Sequence, residues 1–301
     1  MKDSYNISKF NGIVPMIYCF FNKNGSIDKV LMQEQIQTIR QMKVRAIAAL
    51  GLGTEVNKLS FNEKKLIIDL VTKEKKDLSF AVTIQGKTVE EYKKLIEISK
   101  INDVNWIILQ PLINKKTTDF KCFNFFKKIL PFCDGTLVGI QNAKEYLGVG
   151  VDRKQIKKLY KDFDNFRAIK AEAPAIDMKK EINSYPKDLH IFNGRGGQEI
   201  IENLLAGCSG IVPTPECTIA LKKIYKHVRN KKISLALKEY QKILPTIIFI
   251  MQSIETLTFY GKRIFAKKIG INNLYDRKTN LELDYFGKQL VKRFADQIDI
   301  I

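Results

Sequence analysis

The feature that most constrains the fold is a regular alternation of β-rich runs and amphipathic stretches over about the first 230 residues. Several β-rich runs, such as Trp106–Leu109, are almost continuously apolar, which is typical of parallel strands covered on both faces. Eight strands are predicted, over residues 12–21, 45–51, 78–85, 105–111, 136–142, 166–172, 189–194 and 210–213. Helices are predicted between them, over residues 30–42, 62–75, 89–101, 120–130, 153–163 and 198–205.

The number and spacing of these units favour a closed barrel over an open sheet. Eight β/α units in about 220 residues match the size of a (β/α)8 TIM barrel. The main alternative is a doubly wound sheet, but no Gly-x-Gly-x-x-Gly segment follows the first strand. The sequence therefore predicts an α/β protein of the TIM-barrel type.

After His227 the pattern becomes purely helical. Helices are predicted over residues 234–243, 247–254, 255–269 and 280–297, separated by Pro245 and by the polar stretch 270–279. We interpret these helices as an appended bundle. The predicted organisation is a barrel domain over residues 1–230 and a C-terminal helical domain over residues 231–301.

The charge of the chain is strongly positive, with 51 lysines and arginines against 32 aspartates and glutamates and a net charge of +19. Such a balance is typical of proteins that bind nucleic acid. Only nine of the basic residues are arginine, however, and base readout favours arginine. The lysines are also dispersed among acidic and apolar residues, so we interpret them as a solvated surface and expect no nucleic-acid partner.

Cysteine and histidine usage argues against disulfides and against a zinc site. The five cysteines form no Cys-x-x-Cys pair, and only two histidines are present. The N-terminal segment lacks the apolar core of a signal peptide, and the longest apolar run, 243–251, is too short to span a bilayer. The sequence therefore predicts a cytoplasmic protein with reduced thiols, no metal and no membrane contact.

Lys170 is the clearest candidate for chemistry, because it lies near the end of the strand predicted over 166–172. TIM-barrel active sites lie at the carboxyl ends of the strands, and strand alternation places Ala168, Lys170 and Glu172 on one face. Burial disfavours the charged form of an amine, and a neutral amine can form a Schiff base with a ketone. In a chain with so many lysines, a surface lysine is the simpler interpretation of this residue taken alone.

Several short segments, taken together, carry a family resemblance. They are Gly-Ile-Val-Pro at 12–15, Gly-Ser-Ile-Asp at 25–28, Gly-Leu-Gly-Thr-Glu at 51–55, Ile-Lys at 169–170 and Gly-Ile-Val at 210–212. In order and spacing the chain resembles the dihydrodipicolinate synthase/N-acetylneuraminate lyase family along its whole length. The resemblance implies a (β/α)8 barrel with a helical tail, Lys170 as the Schiff-base lysine and pyruvate or another 2-oxo acid as substrate. It also implies no metal or other cofactor, and a homotetramer built as a dimer of dimers.

The chain departs from this family at groups that move protons or hold the substrate carboxylate. Gln141 stands where many members have a proton-relaying tyrosine, and an amide does not titrate usefully. Leu52 and Gly53 replace the paired threonines of the carboxylate-binding loop. The backbone N–H groups of Gly53 and Thr54 are expected to hold the carboxylate instead, because a turn can bind an anion without side chains.

Four further residues are predicted to bind the substrate. Tyr146 stands where synthases have an arginine for the carboxylate of the aldehyde, so synthase activity is disfavoured. Its hydroxyl is expected to donate to the substrate, and a packed loop aromatic is the alternative. Gly194 and Arg195 begin a glycine-rich turn in which Arg195 suits a carboxylate or a phosphate. A solvent-exposed turn residue is the alternative for Arg195. Val212 lies on the last predicted strand.

Glu55 and Glu172 are the titratable groups expected to replace the missing tyrosine, because burial can tune a carboxyl toward neutral pH. The alternative for Glu55 is a carboxylate that braces a loop, and the alternative for Glu172 is a partner of a cation. The predicted catalytic residues are Lys170, Gln141 and Glu55, with Glu172 in the substrate-binding set.

The predicted function is lyase activity through an imine on Lys170, with pyruvate or a 2-keto-3-deoxy sugar acid as substrate and aldol cleavage as the reaction. Dehydration of such an acid and a condensation like that of dihydrodipicolinate synthase are alternatives that use the same imine. The alternative outside enzymes is a catalytically inactive sensor or scaffold that retains the barrel.

Overall fold

The computed structural model describes residues 5–300, and its core is a barrel of parallel strands. The strands are β1 (Gly12–Ile13), β2 (Ala46–Ala49), β3 (Ser79–Ile84), β4 (Trp106–Leu109), β5 (Val138–Asn142), β6 (Phe166–Ala171), β7 (His190–Asn193) and β8 (Gly210–Ile211). They pair in the order β1-β8-β7-β6-β5-β4-β3-β2. A bridge between Met16 and Ala48 joins the segment after β1 to β2. This arrangement confirms the predicted (β/α)8 barrel.

Helices connect the strands and follow the last of them. They are α1 (Lys29–Gln41), α2 (Phe61–Glu74), α3 (Val89–Ile101), α4 (Asp119–Ile129), α5 (Lys144–Leu147), α6 (Arg153–Asp162), α7 (Ala175–Ile182), α8 (Ile200–Ala206), α9 (Thr218–Arg229), α10 (Ile233–Ile250), α11 (Ile254–Thr256), α12 (Lys262–Lys268) and α13 (Tyr285–Gln297). Side chains fix several of their starts. Asp28 caps α1, and Ser60 with Glu63 forms a capping box on α2.

The inside of the barrel is an apolar cluster of small and aromatic side chains. Ala168, Trp106 and Phe192 belong to this cluster, and the two aromatic rings lie 4.9 Å apart between centroids. Ile169 belongs instead to the larger apolar cluster that extends to the outer helices. Because neighbouring strand residues face opposite sides, Lys170 lies on the same face as Ala168, as the sequence predicted, and the structure shows that this face points inward.

Two predicted boundaries are wrong, and both concern proline. The first strand, predicted over 12–21, is regular only at β1, because Pro15 has no N–H to donate to a neighbouring strand. The predicted break at Pro245 is absent, since α10 continues through this residue. Pro245 and Gln241 both lie on the exposed side of α10. Water can therefore bond the Gln241 carbonyl, which lacks its intrahelical donor.

Other differences concern helices with short or weak signals. The sequence pattern gave no separate prediction for α5, α7 or α9, which the structure contains. The last helix was expected from residue 280 but begins at Tyr285, because Asp284 accepts a hydrogen bond from the Gly287 N–H and caps it.

The C-terminal helices return the chain to the mouth of the barrel. A π-helical turn, Leu257–Gly261, joins α11 to α12. The predicted domain boundary falls between α9 and α10, and the division into two domains stays a prediction. Within residues 5–300, no single helix has the length and hydropathy to span a membrane. The bent pair formed by α10 and residues Ile254–Lys268, at 110°, meets that test by length and composition only.

Candidate active site

Lys170 lies near the carboxyl end of β6, where it is 4% exposed. In the parallel register it pairs with Gln141 of β5 and with Phe192 of β7. Ala168 and Phe192 of the inner cluster lie on the same side of the sheet, so the apolar filling of the barrel forms a floor beneath the amine. The fold thus places Lys170 at the end of the barrel where TIM-barrel enzymes bind substrates.

A polar cluster surrounds the Lys170 amine. The ammonium group forms a buried ion pair with Oε1 of Glu172, and the same oxygen accepts a hydrogen bond of 2.8 Å from Nε2 of Gln141. Gly194 faces this pair from the residue after β7. A Cβ atom at Gly194 would lie 2.6 Å from Oε1 of Glu172 and 2.8 Å from Nζ of Lys170. The pair therefore has its present geometry because residue 194 has no side chain.

A small cavity of about 30 Å³ opens above Lys170. Besides Lys170, Glu172 and Gly194, its lining includes Met16, Leu52, Gly53, Tyr146, Gly196, Val212, Pro213, Thr214, Met251, Ile254 and Leu257. This volume suits about one water molecule. Side chains must therefore move to admit an organic acid. Met251, Ile254 and Leu257 come from α10 and the segment after it, so the C-terminal helices supply part of the closed wall.

Glu172 also lines a second, larger cavity of about 300 Å³. Its other polar lining residues are Asp119, Asn142, Lys144, Glu145, Asp152 and Glu181. Burial raises the pKa of Glu181 above its usual range. The Glu172 carboxylate therefore lies between the lysine cavity and a chamber in which carboxylates outnumber cations.

Tyr146 and Arg195, both predicted to bind substrate, differ in their placement. Tyr146 lines the lysine cavity, and burial raises the pKa of its hydroxyl. The Arg195 guanidinium instead forms ion pairs with Glu199, at 2.6 Å, and with Glu145, at 3.4 Å. Its side chain is only 15% exposed. Arg195 is thus not a solvated turn residue. It is engaged by these acids and by a hydrogen bond with Tyr146, and it does not itself line the lysine cavity.

The loop after β2 brings only part of the predicted carboxylate site to the cavity. Gly53 and Val212 line the cavity, but Thr54 does not. The Thr54 N–H donates to the Gly51 carbonyl at 3.0 Å, and its hydroxyl donates to the Ile17 carbonyl at 2.6 Å. Thr54 therefore holds the loop in place, and Gly53 remains as the backbone group of this loop that faces the cavity.

The structure does not bring Glu55 to Lys170. Glu55 has a left-handed backbone, with φ of 59°, and its carboxylate binds Lys262 at 2.6 Å and Lys58 at 2.8 Å. Lys262 is fully buried and also donates to the Cys19 carbonyl at 3.1 Å. This is the loop-bracing alternative that the sequence left open, and it leaves Glu172 as the predicted carboxylate that contacts the amine.

A second polar network, not predicted from the sequence, lies behind the cavity wall. The Thr214 hydroxyl donates to Oε1 of Glu216 at 2.7 Å, and the Tyr18 hydroxyl donates to Oε2 at 2.8 Å. All three residues are buried. The available signal was the run Pro213 to Glu216 directly after the last strand, because polar residues at that position face the substrate end of a barrel.

The comparisons with known proteins agree with this geometry. The model of the dihydrodipicolinate synthetase family matches residues 9–275. The chain belongs to that family. Membership confirms the resemblance found in the sequence and supports an enzyme of the lyase and synthase type. The match extends from the start of the barrel into the C-terminal helices.

Relatives of this family member are similar over most of their lengths. The 4-hydroxy-tetrahydrodipicolinate synthase of Karelsulcia muelleri is 23% identical over 254 residues, which cover 82% of this chain and 84% of that protein. The dihydrodipicolinate synthase of Rhodopseudomonas palustris superposes with a TM-score of 0.87 at 17% identity, covering 97% and 98% of the two chains. The sialic acid aldolase of Ruminococcus gnavus gives 0.88 at 18% identity, covering 96% and 97%. At these identities the two structures support the fold.

Proposed function

We propose that the protein is a lyase that binds a 2-oxo acid as an imine on Lys170 and cleaves a 2-keto-3-deoxy sugar acid by a retro-aldol reaction. The observation that carries this proposal is the buried contact between the Lys170 amine and Glu172 at the substrate end of the barrel. A buried amine beside a single carboxylate is suited to nucleophilic catalysis, because the carboxylate can accept the proton that must leave before attack.

Imine formation follows from these two groups. Glu172 accepts a proton from the Lys170 ammonium, and the neutral amine attacks C2 of the 2-oxo acid. The carbonyl oxygen leaves as water with two protons that originate from the ammonium group. The resulting iminium accepts the electrons of the C3–C4 bond as it breaks, while the C4 hydroxyl gives its proton to Glu172. The products are an aldehyde and the enamine of pyruvate, which is protonated at C3 and hydrolysed.

Two cavity residues would orient the acid. Gly53 belongs to the first turn of a short 3-10 helix, Leu52–Thr54, where N–H groups lack intrahelical acceptors and attract anions. Tyr146 also lines this cavity, and the raised pKa of its hydroxyl keeps it protonated as a donor. Gln141 would position the Glu172 carboxylate by donating a hydrogen bond to its Oε1.

The larger cavity supports a sugar acid over other second substrates. It adjoins Glu172, and its lining contains Asp119, Glu145, Asp152 and Glu181 against the one cation Lys144. Carboxylates accept hydrogen bonds from the hydroxyls of a sugar chain and repel a second carboxylate. Condensation with a carboxylate-bearing aldehyde is therefore disfavoured. Dehydration remains the second candidate, because the same iminium drives loss of water.

The proposal is tested by trapping. The protein is incubated with pyruvate and borohydride, and the reduced adduct is located by peptide mass mapping. We expect one adduct, on Lys170, and none in Lys170→Ala. Lys64→Ala is the matched control, because Lys64 is also buried and its pKa is lowered by burial. An adduct that persists in Lys170→Ala would contradict the imine assignment. Absence of any adduct from the wild-type protein would leave the inactive scaffold as the interpretation of the fold.

A product assay then separates the two lyase reactions. The protein is incubated with 2-keto-3-deoxy sugar acids, and products are followed by NMR. Aldol cleavage releases pyruvate and an aldehyde, whereas dehydration yields a single product that has lost water. We expect pyruvate, and a dehydrated product alone would favour the second candidate.

The homotetramer implied by the family resemblance is also a proposal. Assembly is measured by sedimentation equilibrium, in which a tetramer is expected. A mass that stays at 34.6 kDa at all concentrations would contradict it.

A further inference from the structure

Glu216 is the most deeply buried carboxyl beside the lysine cavity, with 1% of its surface exposed. It lies in a short 3-10 turn, Pro215–Cys217, directly after the barrel closes. Its hydrogen-bond donors are the hydroxyls of Thr214 and Tyr18 and its own backbone N–H, and none of them carries a positive charge. Since an ionised carboxylate without a cation is costly inside a protein, burial raises the pKa of Glu216 above its usual range.

The titratable groups around Glu216 do not offset the effect of burial on its pKa. Tyr18 and Cys217 are neutral, and burial raises the pKa of each. Helix α12 packs against the same turn, and its cations are engaged elsewhere: Lys262 binds Glu55 and Arg263 binds Asp276. Glu216 can therefore change its protonation state at a higher pH than a surface glutamate does.

The hydrogen bonds of Glu216 make the orientation of the Thr214 hydroxyl depend on the protonation state of the Glu216 carboxyl. When the carboxyl is ionised, both hydroxyls donate to it, as the structure has them. When it is neutral, its own proton must go to one of these two oxygens, and that hydroxyl becomes an acceptor with its hydrogen free to turn elsewhere. The Tyr18 hydroxyl lies against the backbone of Gly261, since a Cβ atom at residue 261 would lie 2.4 Å from the Tyr18 oxygen. Thr214, by contrast, lines the cavity that holds Lys170.

We propose that Thr214 and Glu216 form the proton path for C3 of the imine-bound 2-oxo acid, with Tyr18 setting the basicity of Glu216. This inference rests on the proposed imine at Lys170. The C3–H bond of the iminium breaks, and its electrons form the C2–C3 double bond of the enamine while the nitrogen takes up the electron pair of the C=N bond. The proton passes to Oγ1 of Thr214 as the Thr214 proton passes to Oε1 of Glu216. Reversal returns a proton to C3.

In this proposal the proton transfers take place on two different sides of the cavity. Glu172, directly after β6, acts on the amine and on the C4 hydroxyl, whereas Thr214, after β8, acts on C3. Thr214 is then the catalytic residue of the path, and Glu216 and Tyr18 are positioning residues that act through it. This assignment supplies a titratable group, which the amide of Gln141 cannot provide.

The test is exchange of the pyruvate methyl protons for deuterium, followed by proton NMR of the full-length protein in D2O. Thr214→Val removes the hydroxyl at nearly constant shape, and Thr214→Ser retains it. General acid–base catalysis is worth about 10²-fold or more, so we expect exchange to fall by about that factor in Thr214→Val and in Glu216→Gln and to persist in Thr214→Ser. Tyr92→Phe is the control, since Tyr92 is also a buried tyrosine but bonds the Gln110 carbonyl.

The pH dependence supplies a readout that a purely structural role would not change. Exchange needs the ionised carboxyl, so the rate should rise with pH through the raised pKa of Glu216. Tyr18→Phe removes a donor that favours ionisation and should move this rise to higher pH, and Glu216→Gln should abolish it.

Borohydride adducts on Lys170 are measured in parallel. Wild-type exchange rates in Thr214→Val with a normal adduct would overturn the proton path alone, whereas absence of the adduct from the wild-type protein would overturn the proposed function and the path with it.

Discussion

Gly194 shows at the scale of one residue how closely the site depends on local shape. It follows β7 and leaves room for the contact between Lys170 and Glu172, which a Cβ atom would enter at 2.6 and 2.8 Å. Contacts this short displace side chains, and misplacement of a reacting group by about 1 Å can cost about 10²-fold in rate.

Gly194→Ala is therefore expected to slow borohydride trapping of pyruvate by about 10²-fold. Gly86→Ala is the control, because a Cβ atom there would approach Tyr92 at 3.0 Å away from the cavity. Both variants should lose about 1–3 kcal/mol of stability from overpacking, but only the first should lose trapping. Normal trapping by Gly194→Ala would show that the amine and carboxylate do not need their present positions.

The sequence predicts some residues of the site and not others, for a physical reason. Lys170 and Glu172 follow from one predicted strand, over residues 166–172, because alternation places residues two apart on a common face. Glu55 depends on Lys262, which is 207 positions away. The environment of Thr214 likewise depends on Tyr18, near the other end of the barrel sequence. Partners brought together by barrel closure leave no local pattern.

At the scale of elements, Lys262 ties α12 to the loop after β2. Its amine is fully buried and binds Glu55, at 2.6 Å, and Asp276, at 3.4 Å. Breaking a buried ion pair costs about 3–5 kcal/mol. Because Glu55 keeps Lys58 and Asp276 keeps Arg263, we expect the lower end of this range, about 3 kcal/mol. Lys262→Met is expected to lower the free energy of unfolding by that amount in urea titrations. Lys267→Met is the control, since Lys267 is exposed on the same helix, and equal stability of the two variants would contradict a structural role for the buried amine.

A second tether joins the segment before α13 to α2. Arg277 donates to Glu63 at 3.1 Å and to the Lys58 carbonyl at 3.2 Å. The hydrogen bond from Arg277 lowers the pKa of Glu63 to about 2 from 4.5. A carboxyl whose pKa is lowered by folding stabilises the folded state above its unfolded pKa, and this stabilisation is lost as the pH falls from about 4.5 to about 2.

Glu63→Gln should therefore lower stability at pH 7 by about 1 kcal/mol, a value that allows for solvent screening of this partly exposed pair, and should have little effect near pH 2. Glutamine keeps the capping box of α2, so the change isolates the ion pair. Urea unfolding at the two pH values measures it, and an equal loss at both would contradict the linkage.

Helix boundaries also show where local rules were overridden. Proline normally ends a helix, but α10 contains Pro245 because its exposed position leaves the affected carbonyl to water and its buried face stays continuous through Ile243, Thr246, Ile247 and Ile250. Packing of that face decides the length of the helix, and a single sequence does not contain the packing partners.

For the whole molecule, eight repeated β/α units were enough to predict the barrel, since each unit carries its own pattern and few topologies accept eight of them. The closed state of the site was not predictable. Its cavity is walled by Met251, Ile254 and Leu257, which come from the C-terminal helices and have no signal at the strand ends.

The net charge of +19 acts at the same scale. A positive field raises the local concentration of small anions and is screened by salt. The pyruvate concentration that gives half-maximal trapping is therefore expected to rise several-fold between about 10 mM and about 500 mM ionic strength. Methyl pyruvate, which is uncharged, should show no such change. A salt-independent value for pyruvate would mean that the lysines serve solubility alone.

The imine on Lys170 is tested most directly by a crystal structure of the protein reduced with borohydride in the presence of pyruvate. We predict continuous density from Nζ of Lys170 to C2 of the ligand, the ligand carboxylate at the Gly53 N–H, and C3 on the Thr214 side of the cavity. Pyruvate bound without a covalent link, or linked to a different lysine, would contradict it.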